Sequence, residues 1–276
     1  MTNNSLYTLN LSIAEMPVTL RLHDLDEPMR ARIVERYAAF VATASPGTVS
    51  IDVHVEPGPE YIPFRAATTW QIKSSLQDGR LEFESHLEKG WIDLTANHGV
   101  LTLRPKGDPE NFLRVLYAWQ CLDHDALLVH SSGVIRHGRG YVFFGPSGSG
   151  KTTISRLSMD HTVLSDDLVI VKKNDQAVRV YGVPFRGDMP EAPRTNAVAD
   201  LRGLFMLVKA DEHRLAPISA PEAMARLAAC VPFVMAQPAQ AKRVAELCAQ
   251  LVKTVPVQAL HFRQDAGFWS VIDGLE

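Results

Sequence analysis

Hydrophobic and polar positions alternate with a period of two through most of the first hundred residues. The alternating runs are Leu6–Leu9, Val18–Leu22, Val49–Val55, Leu81–Phe83, Trp91–Leu94 and Val100–Leu103. Period-two patterning places one side-chain face against a core and the other in solvent, so these runs predict a largely antiparallel sheet. One segment breaks the alternation. After Asp26-Glu27-Pro28, the apolar residues Met29, Ile33, Tyr37 and Phe40 recur at helical spacing, which predicts a capped helix running to Ala42. Residues 1–104 therefore read as an N-terminal α+β region, mainly antiparallel sheet. Two prolines and a glycine in Pro105-Lys106-Gly107-Asp108-Pro109 make the next stretch a connection.

From residue 105 to 276 the period shifts between 3.6 and 2. Phe112, Leu113, Leu116 and Trp119 lie close to one face of a predicted helix over Glu110–Leu122, which leads into a strand over Ala126–His130. A turn at His137–Gly140 precedes the apolar run Tyr141–Phe144. Further strands are predicted at Thr162–Ser165, Val178–Val183, Leu204–Val208 and Val257–His261, with helices at Pro221–Cys230 and Ala239–Val252. Strands that alternate with helices give an α/β fold, here a mixed sheet.

Composition narrows the class. Hydrophobic residues make up 46% and charged residues 21% of the 276, which suits a globular chain with a sizeable core. No apolar run has membrane length, and the first thirty residues lack the order of a secretion signal, so a cytoplasmic protein without a membrane partner is expected. A net charge of −3 and no basic cluster with interleaved aromatics argue against a nucleic-acid partner. Cys121, Cys230 and Cys248 are odd in number and far apart, as reduced packing thiols are. Self-association into a homo-oligomer is left open.

The chemistry concentrates after Phe144. Gly145-Pro146-Ser147-Gly148-Ser149-Gly150-Lys151-Thr152 is a complete phosphate-binding loop between an apolar strand and a predicted helix. Glycines let successive backbone N–H groups face phosphate oxygens, and the following helix adds its positive end. Gly145, Ser147, Gly148, Ser149, Gly150, Lys151, Thr152 and Thr153 are thus the nucleotide-binding candidates. Lys151 reaches the outer phosphates, Thr152 offers its hydroxyl to magnesium, and Thr153 starts the helix. Asp166 and Asp167 follow a short strand fifteen and sixteen residues after Lys151, enough for one helix of about ten residues and a returning strand. Two carboxylates facing a triphosphate suit a metal contact and a general base. His130, at the end of its strand, is a candidate to orient an aspartate, contact a phosphate or assist proton transfer. The proline-punctuated stretch 184–194 reads as a mobile loop over the site, with Arg186 and Arg194 available to neutralise transferring charge.

The order His130-Ser131-Ser132, then Gly145 to Thr152, then Ser165-Asp166-Asp167 resembles the kinase domain of HPr kinase/phosphorylase, a bacterial enzyme that phosphorylates a serine of a carrier protein. The loop is also similar to that of the phosphoenolpyruvate carboxykinase nucleotide domain. The resemblance spans roughly residues 125–210. It implies a P-loop kinase-like mixed-sheet domain over 105–276, in which Lys151 and Thr152 serve the phosphates and metal. Asp166 and Asp167 then supply a metal contact and the base, with His130 close by. Asp200-Leu201-Arg202-Gly203-Leu204 is similar to a second signature of that family and makes Arg202 a further catalytic candidate. Lys151-Thr152-Thr153 stands where those kinases usually have Lys-Ser-Glu, and the N-terminal half matches none of their regulatory region. The chain therefore looks more like divergent relatives of that family, some of them linked to peptide modification.

The expected activity is an ATP- and magnesium-dependent phosphoryl transfer to a hydroxyl, with serine favoured, of a peptide, a protein or a small molecule. ATP, GTP and pyrophosphate stay open as donors. The alternatives are a carboxykinase-like kinase of a small metabolite and a regulatory nucleotide-binding module without turnover.

Overall fold

In the computed structural model, which describes residues 6–45, 48–64, 71–174, 177–192 and 194–274, the alternating runs become strands and the chain divides into two units, Met1–Tyr117 and Ala118–Glu276. The architecture is mixed α/β. Among the described residues no helix is long and apolar enough to cross a membrane.

The first unit is one seven-stranded sheet with a helix. Its strands are β1 (Leu6–Ile13), β2 (Met16–His23), β3 (Val49–Val55), β4 (Lys73–Gln77), β5 (Arg80–Glu84), β6 (Glu88–Asp93) and β7 (His98–Leu103), in the order β1-β2-β3-β7-β6-β5-β4. Strict alternation holds where expected: every second residue of β2, from Met16 to Leu22, is buried. The expectation of a largely antiparallel sheet needs one correction, because the central pairs β2·β3 and β3·β7 are parallel. Helix α1 (Glu27–Tyr37) supplies the crossover between β2 and β3, which parallel strands require. Asp26 caps it by accepting from the Met29 N–H at 2.8 Å. It stops at Tyr37 and tightens into a 3-10 turn over Ala38–Phe40, short of the predicted Ala42.

Helix α2 (Glu110–Asp123) follows the proline-rich connection. Glu88, 2% exposed, accepts from Asn111 Nδ2 at 2.9 Å and from the Phe112 N–H at 3.1 Å. Burial, helped by the charges of Asp108 and Glu110, pushes the Glu88 carboxyl up to about 8 against those two donors. A folded-state value raised above the unfolded one means stability that is full below pH 4.5 and lost as pH climbs toward 8. Glu88→Gln is expected to match the parent near pH 5 and to exceed it by about 2–4 kcal/mol above pH 8. Urea unfolding of both proteins across that range checks this; parallel pH curves would refute the assignment.

The second unit contains β8 (Ala126–Arg136), β9 (Arg139–Phe144), α3 (Lys151–Leu157), β10 (Thr162–Ser165), β11 (Leu168–Lys173), β12 (Val178–Tyr181), β13 (Val198–Lys209), β14 (Arg214–Pro217), α4 (Ala220–Ala228), α5 (Pro238–Thr254), β15 (Val257–Phe262) and α6 (Phe268–Asp273). Five pairings close on themselves: β8 with β11, β11 with β12, β12 with β13, β13 with β9, and β9 with β8. The result is a small barrel, and it explains why β8 is buried along nearly its whole length instead of alternating. β15 extends the sheet parallel to β13, so β9, β13 and β15 all point their C-terminal ends the same way. Phe143, Ile154, Phe205, Phe262 and Phe268 pack together beneath that edge. At roughly 2 kcal/mol for each large apolar side chain removed from water, this cluster gives the edge a rigid base.

Candidate functional site

β9 ends at Phe144, which is fully buried and paired with Met206 of β13, so the chain leaves the sheet at its C-terminal edge. The Ser149 N–H closes a turn on Pro146 O at 3.1 Å, and Gly148 takes φ +76° within it. Gly150, at φ +107°, caps α3, and a Cβ there would lie 2.6 Å from Phe262 Cζ. Backbone conformation and the Phe262 ring both demand glycine. The helix begins at Lys151 and has seven residues, so Thr152 and Thr153 are already inside its first turn, where a start at Thr153 and about ten residues were expected. Gly150→Ala is expected to misplace the start of α3 at a stability cost of about 1–3 kcal/mol. Thermal melting of the two proteins checks it; an unchanged melting temperature would contradict the role given to Gly150.

Lys151, 7% exposed, folds back across the loop and donates from Nζ to Gly145 O at 3.0 Å and Pro146 O at 3.1 Å. Among the described residues no carboxylate lies within ion-pair distance of it. Burial holds its pKa below the ordinary lysine value, while Cys230 and Asp167 pull in the other direction. A desolvated ammonium held only by neutral carbonyls is a cation awaiting an anion. Ser149 Oγ, also buried, has no hydrogen-bond partner among the described residues. Ser147 and Gly148 are exposed at the tip of the turn.

The acid pair reaches the loop through strand register. β10 and β11 run antiparallel to consecutive stretches of β8, with Ser165 opposite Gly133 and Leu168 opposite His130. Asp166 and Asp167 are the break between them. The Ser131 N–H still donates to Asp167 O at 2.9 Å, while Ser131 also pairs with Phe144, the last residue before the loop. β8 thus ties the acids to the loop directly. Ser165 shapes the break by accepting from the Asp167 and Leu168 N–H groups, both at 3.2 Å, and by donating to Phe185 O at 3.2 Å.

The two carboxylates have different surroundings. Asp166 is 3% exposed; it accepts from the Gly187 N–H at 3.1 Å, and the Thr152 hydroxyl lies 3.5 Å from its Oδ2. Burial raises its pKa, with the Asp167 charge adding to the shift and the Gly187 N–H opposing it. Asp167 faces the more open side, with its Oδ1 3.2 Å from His130 Nε2. Lys151, Thr152, Asp166, Asp167 and His130 are therefore brought together.

Arg202 is not. It lies on β13 at the level of Gly140, the far end of β9, and five strand residues at about 3.3 Å each put it roughly 16 Å from Gly145. The likeness of its motif to a catalytic signature carried no information on which end of the strand it occupies. Of the stretch 184–194, expected to be mobile, residues 184–192 are seated on the acids, with Phe185, Met189 and Ala192 buried. Arg194 braces it by donating to Pro184 O at 2.8 Å, and Arg156 of α3 pairs with Glu191 at 2.9 Å. Pro193 lies outside the described residues. Gly187 was missed as a site residue; a Cβ there would meet Asp166 Oδ2 at 2.7 Å, and only its place in a glycine- and proline-containing loop hinted at such a close approach. Also missed was a cavity of about 250 Å3 beside Gly150 and Thr153, walled by Lys209, Phe262, Arg263 and Gln264 at the ends of β13 and β15.

Among the described residues no three His, Cys, Asp or Glu side chains group as a metal cage. Magnesium needs no such cage, since it keeps water and phosphate oxygens and takes only one or two protein ligands, a number that Thr152 Oγ1 and Asp166 could supply.

The model of one family, SynChlorMet cassette protein ScmC, matches residues 111–275, more than half of the chain, and the chain belongs to that family. The match corrects the resemblance to HPr kinase/phosphorylase and, with it, to the phosphoenolpyruvate carboxykinase nucleotide domain. The residues that carried the resemblance form three short motifs, and short motifs alone do not fix a family. No curated protein matches the chain.

Proposed function

We propose that this ScmC family member is an ATP- and magnesium-dependent phosphotransferase acting on a hydroxyl of a peptide, protein or small molecule, and that its second unit is a phosphate-loop fold. The convergence of a buried, unneutralised Lys151 with two unequal carboxylates carries this reading.

Lys151 exchanges its carbonyl partners for outer phosphate oxygens, and loop N–H groups hold the rest of the chain of phosphates. Thr152 and Asp166 would hold magnesium, which would supply neutralisation of the phosphate charge. Asp166 is fixed by the Gly187 N–H, as a metal-facing carboxylate must be, and its raised pKa marks a charge that a cation would stabilise. Asp167 accepts the acceptor's proton. The hydroxyl oxygen then bonds to the outer phosphorus as the bond from that phosphorus to the bridging oxygen breaks, leaving the nucleoside diphosphate. His130 orients the Asp167 carboxylate toward the incoming hydroxyl. The 250 Å3 cavity beside Gly150 suits the nucleoside, with Phe262 and Arg263 offering an apolar wall and a cationic one.

The description of the family as a cassette protein makes its cassette companions the first acceptors to try. Incubation of the protein with γ-labelled ATP, magnesium and those companions is expected to leave label on a hydroxyl side chain. Tight nucleotide binding with neither label transfer nor hydrolysis would reduce the reading to a binding module.

A further inference from the structure

Far from the loop, the ladder between β13 and β9 slips. Leu201 pairs with Gly140 and Gly203 with Tyr141, so Arg202 has no residue opposite it. A bulge of this kind re-aims the extra side chain relative to strand alternation. Arg202 and Arg139 line a cavity of about 350 Å3 whose apolar wall includes Tyr141, Phe205 and Ile272. These three are 6%, 2% and 2% exposed and belong to the packed core, so the wall is preformed. Gly203 shapes the hollow: a Cβ there would lie 2.7 Å from the Phe205 ring, so no side chain occupies the space between bulge and wall.

The charge of Arg202 at the rim is not cancelled by a described neighbour. Among the described residues Arg202 forms no ion pair or hydrogen bond. The neighbouring acids are engaged elsewhere, Asp200 with Arg179 at 3.3 Å and Asp273 with Arg136. A preformed apolar hollow with a few polar groups converging on it is the anatomy of a small-molecule site, and a guanidinium selects planar or tetrahedral oxyanions.

We propose that this cavity is a second ligand site, for a small amphipathic anion. Arg202 holds its carboxylate or phosphate, and its aromatic or branched body rests on Tyr141, Phe205 and Ile272. The site is independent of the nucleotide reading, because it lies roughly 16 Å from the loop along β9.

Titration calorimetry with phenylacetate, phenyl phosphate and the neutral analogue benzyl alcohol tests it, the two anions distinguishing carboxylate from phosphate. At least one anion is expected to bind with Kd below about 1 mM, and the neutral analogue at least tenfold more weakly. Arg202→Ala should cost tenfold or more; Arg202→Gln, which keeps the stem and removes the charge, serves if the alanine variant does not fold. Lys151→Ala and saturating ATP with magnesium should leave the affinity unchanged. Equal binding to the Arg202 variants, equal binding of benzyl alcohol, displacement by ATP, or no binding of either anion would each overturn the proposal.

Discussion

Lys151→Ala is expected to lower nucleotide affinity at least a hundredfold while leaving the folded protein as stable as before, or more so. The first half follows from the loss of the cation at the centre of the loop: removing one partner of a buried, hydrogen-bonded charge pair costs about 2–5 kcal/mol of binding. The second half follows from how Lys151 is held without ligand. Among the described residues its Nζ donates only to Gly145 O and Pro146 O, and burial depresses its pKa. A base whose folded value lies below 10.5 is penalised as a cation at neutral pH, and that penalty fades only as pH rises from the folded value toward 10.5. Alanine abolishes the penalty along with the binding. The measurement is a pair of titrations with ATP and magnesium beside thermal melts at pH 7. A variant that loses both binding and several degrees of melting temperature would show that Lys151 holds the loop together and does not await a phosphate.

That opposition between binding and stability could be anticipated only partly from the chain itself. The motif from Gly145 to Thr152 identified the loop because few other arrangements need glycine at those spacings; Gly150 shows why, with φ +107° and the Phe262 ring pressed against it. The acid pair was legible by its distance from Lys151, since a short helix and strand must bring it back. What could not be read was the barrel register. Alternation reports which face of a strand is buried and says nothing of its neighbours. The pairing of Ser131 with both Phe144 and Asp167, which welds loop to acids, therefore appeared only in the fold. The same blindness misplaced Arg202, whose motif was visible and whose end of the strand was not. Strands β4, β11 and β14 and helix α6 were passed over for different reasons. β4 is polar, Lys73-Ser74-Ser75-Leu76-Gln77, and lies at the sheet's edge. β11 is buried and apolar without alternation, directly after the acids, and β14 has four residues. α6 is six residues long, too short for its spacing to stand out, yet Phe268 and Trp269 fix it to the core.

The two carboxylates differ enough in setting for their substitutions to separate. Asp167→Asn is expected to reduce phosphoryl transfer about 10³–10⁴-fold while ATP affinity stays within threefold, because an amide keeps the shape and cannot take the acceptor's proton. Asp166→Asn is expected to act on magnesium instead: its carboxylate is buried, fixed by Gly187 N and next to the Thr152 hydroxyl, so the metal concentration needed for half-maximal rate should rise at least tenfold. His130→Ala removes only the group beside Asp167 and is expected to cost about 10–100-fold in rate, with little change in magnesium dependence. Initial rates of label transfer across magnesium concentrations, with ATP binding measured separately, resolve all three. If Asp167→Asn shifted the magnesium requirement and Asp166→Asn abolished transfer at every metal concentration, the roles would be exchanged, and the buried carboxylate would be the base. Its raised pKa makes that outcome chemically meaningful: a carboxyl that holds a proton more tightly is the stronger base once ionised. What opposes it is access, since Asp166 is 3% exposed, whereas the Asp167 side chain keeps 19% of its surface open.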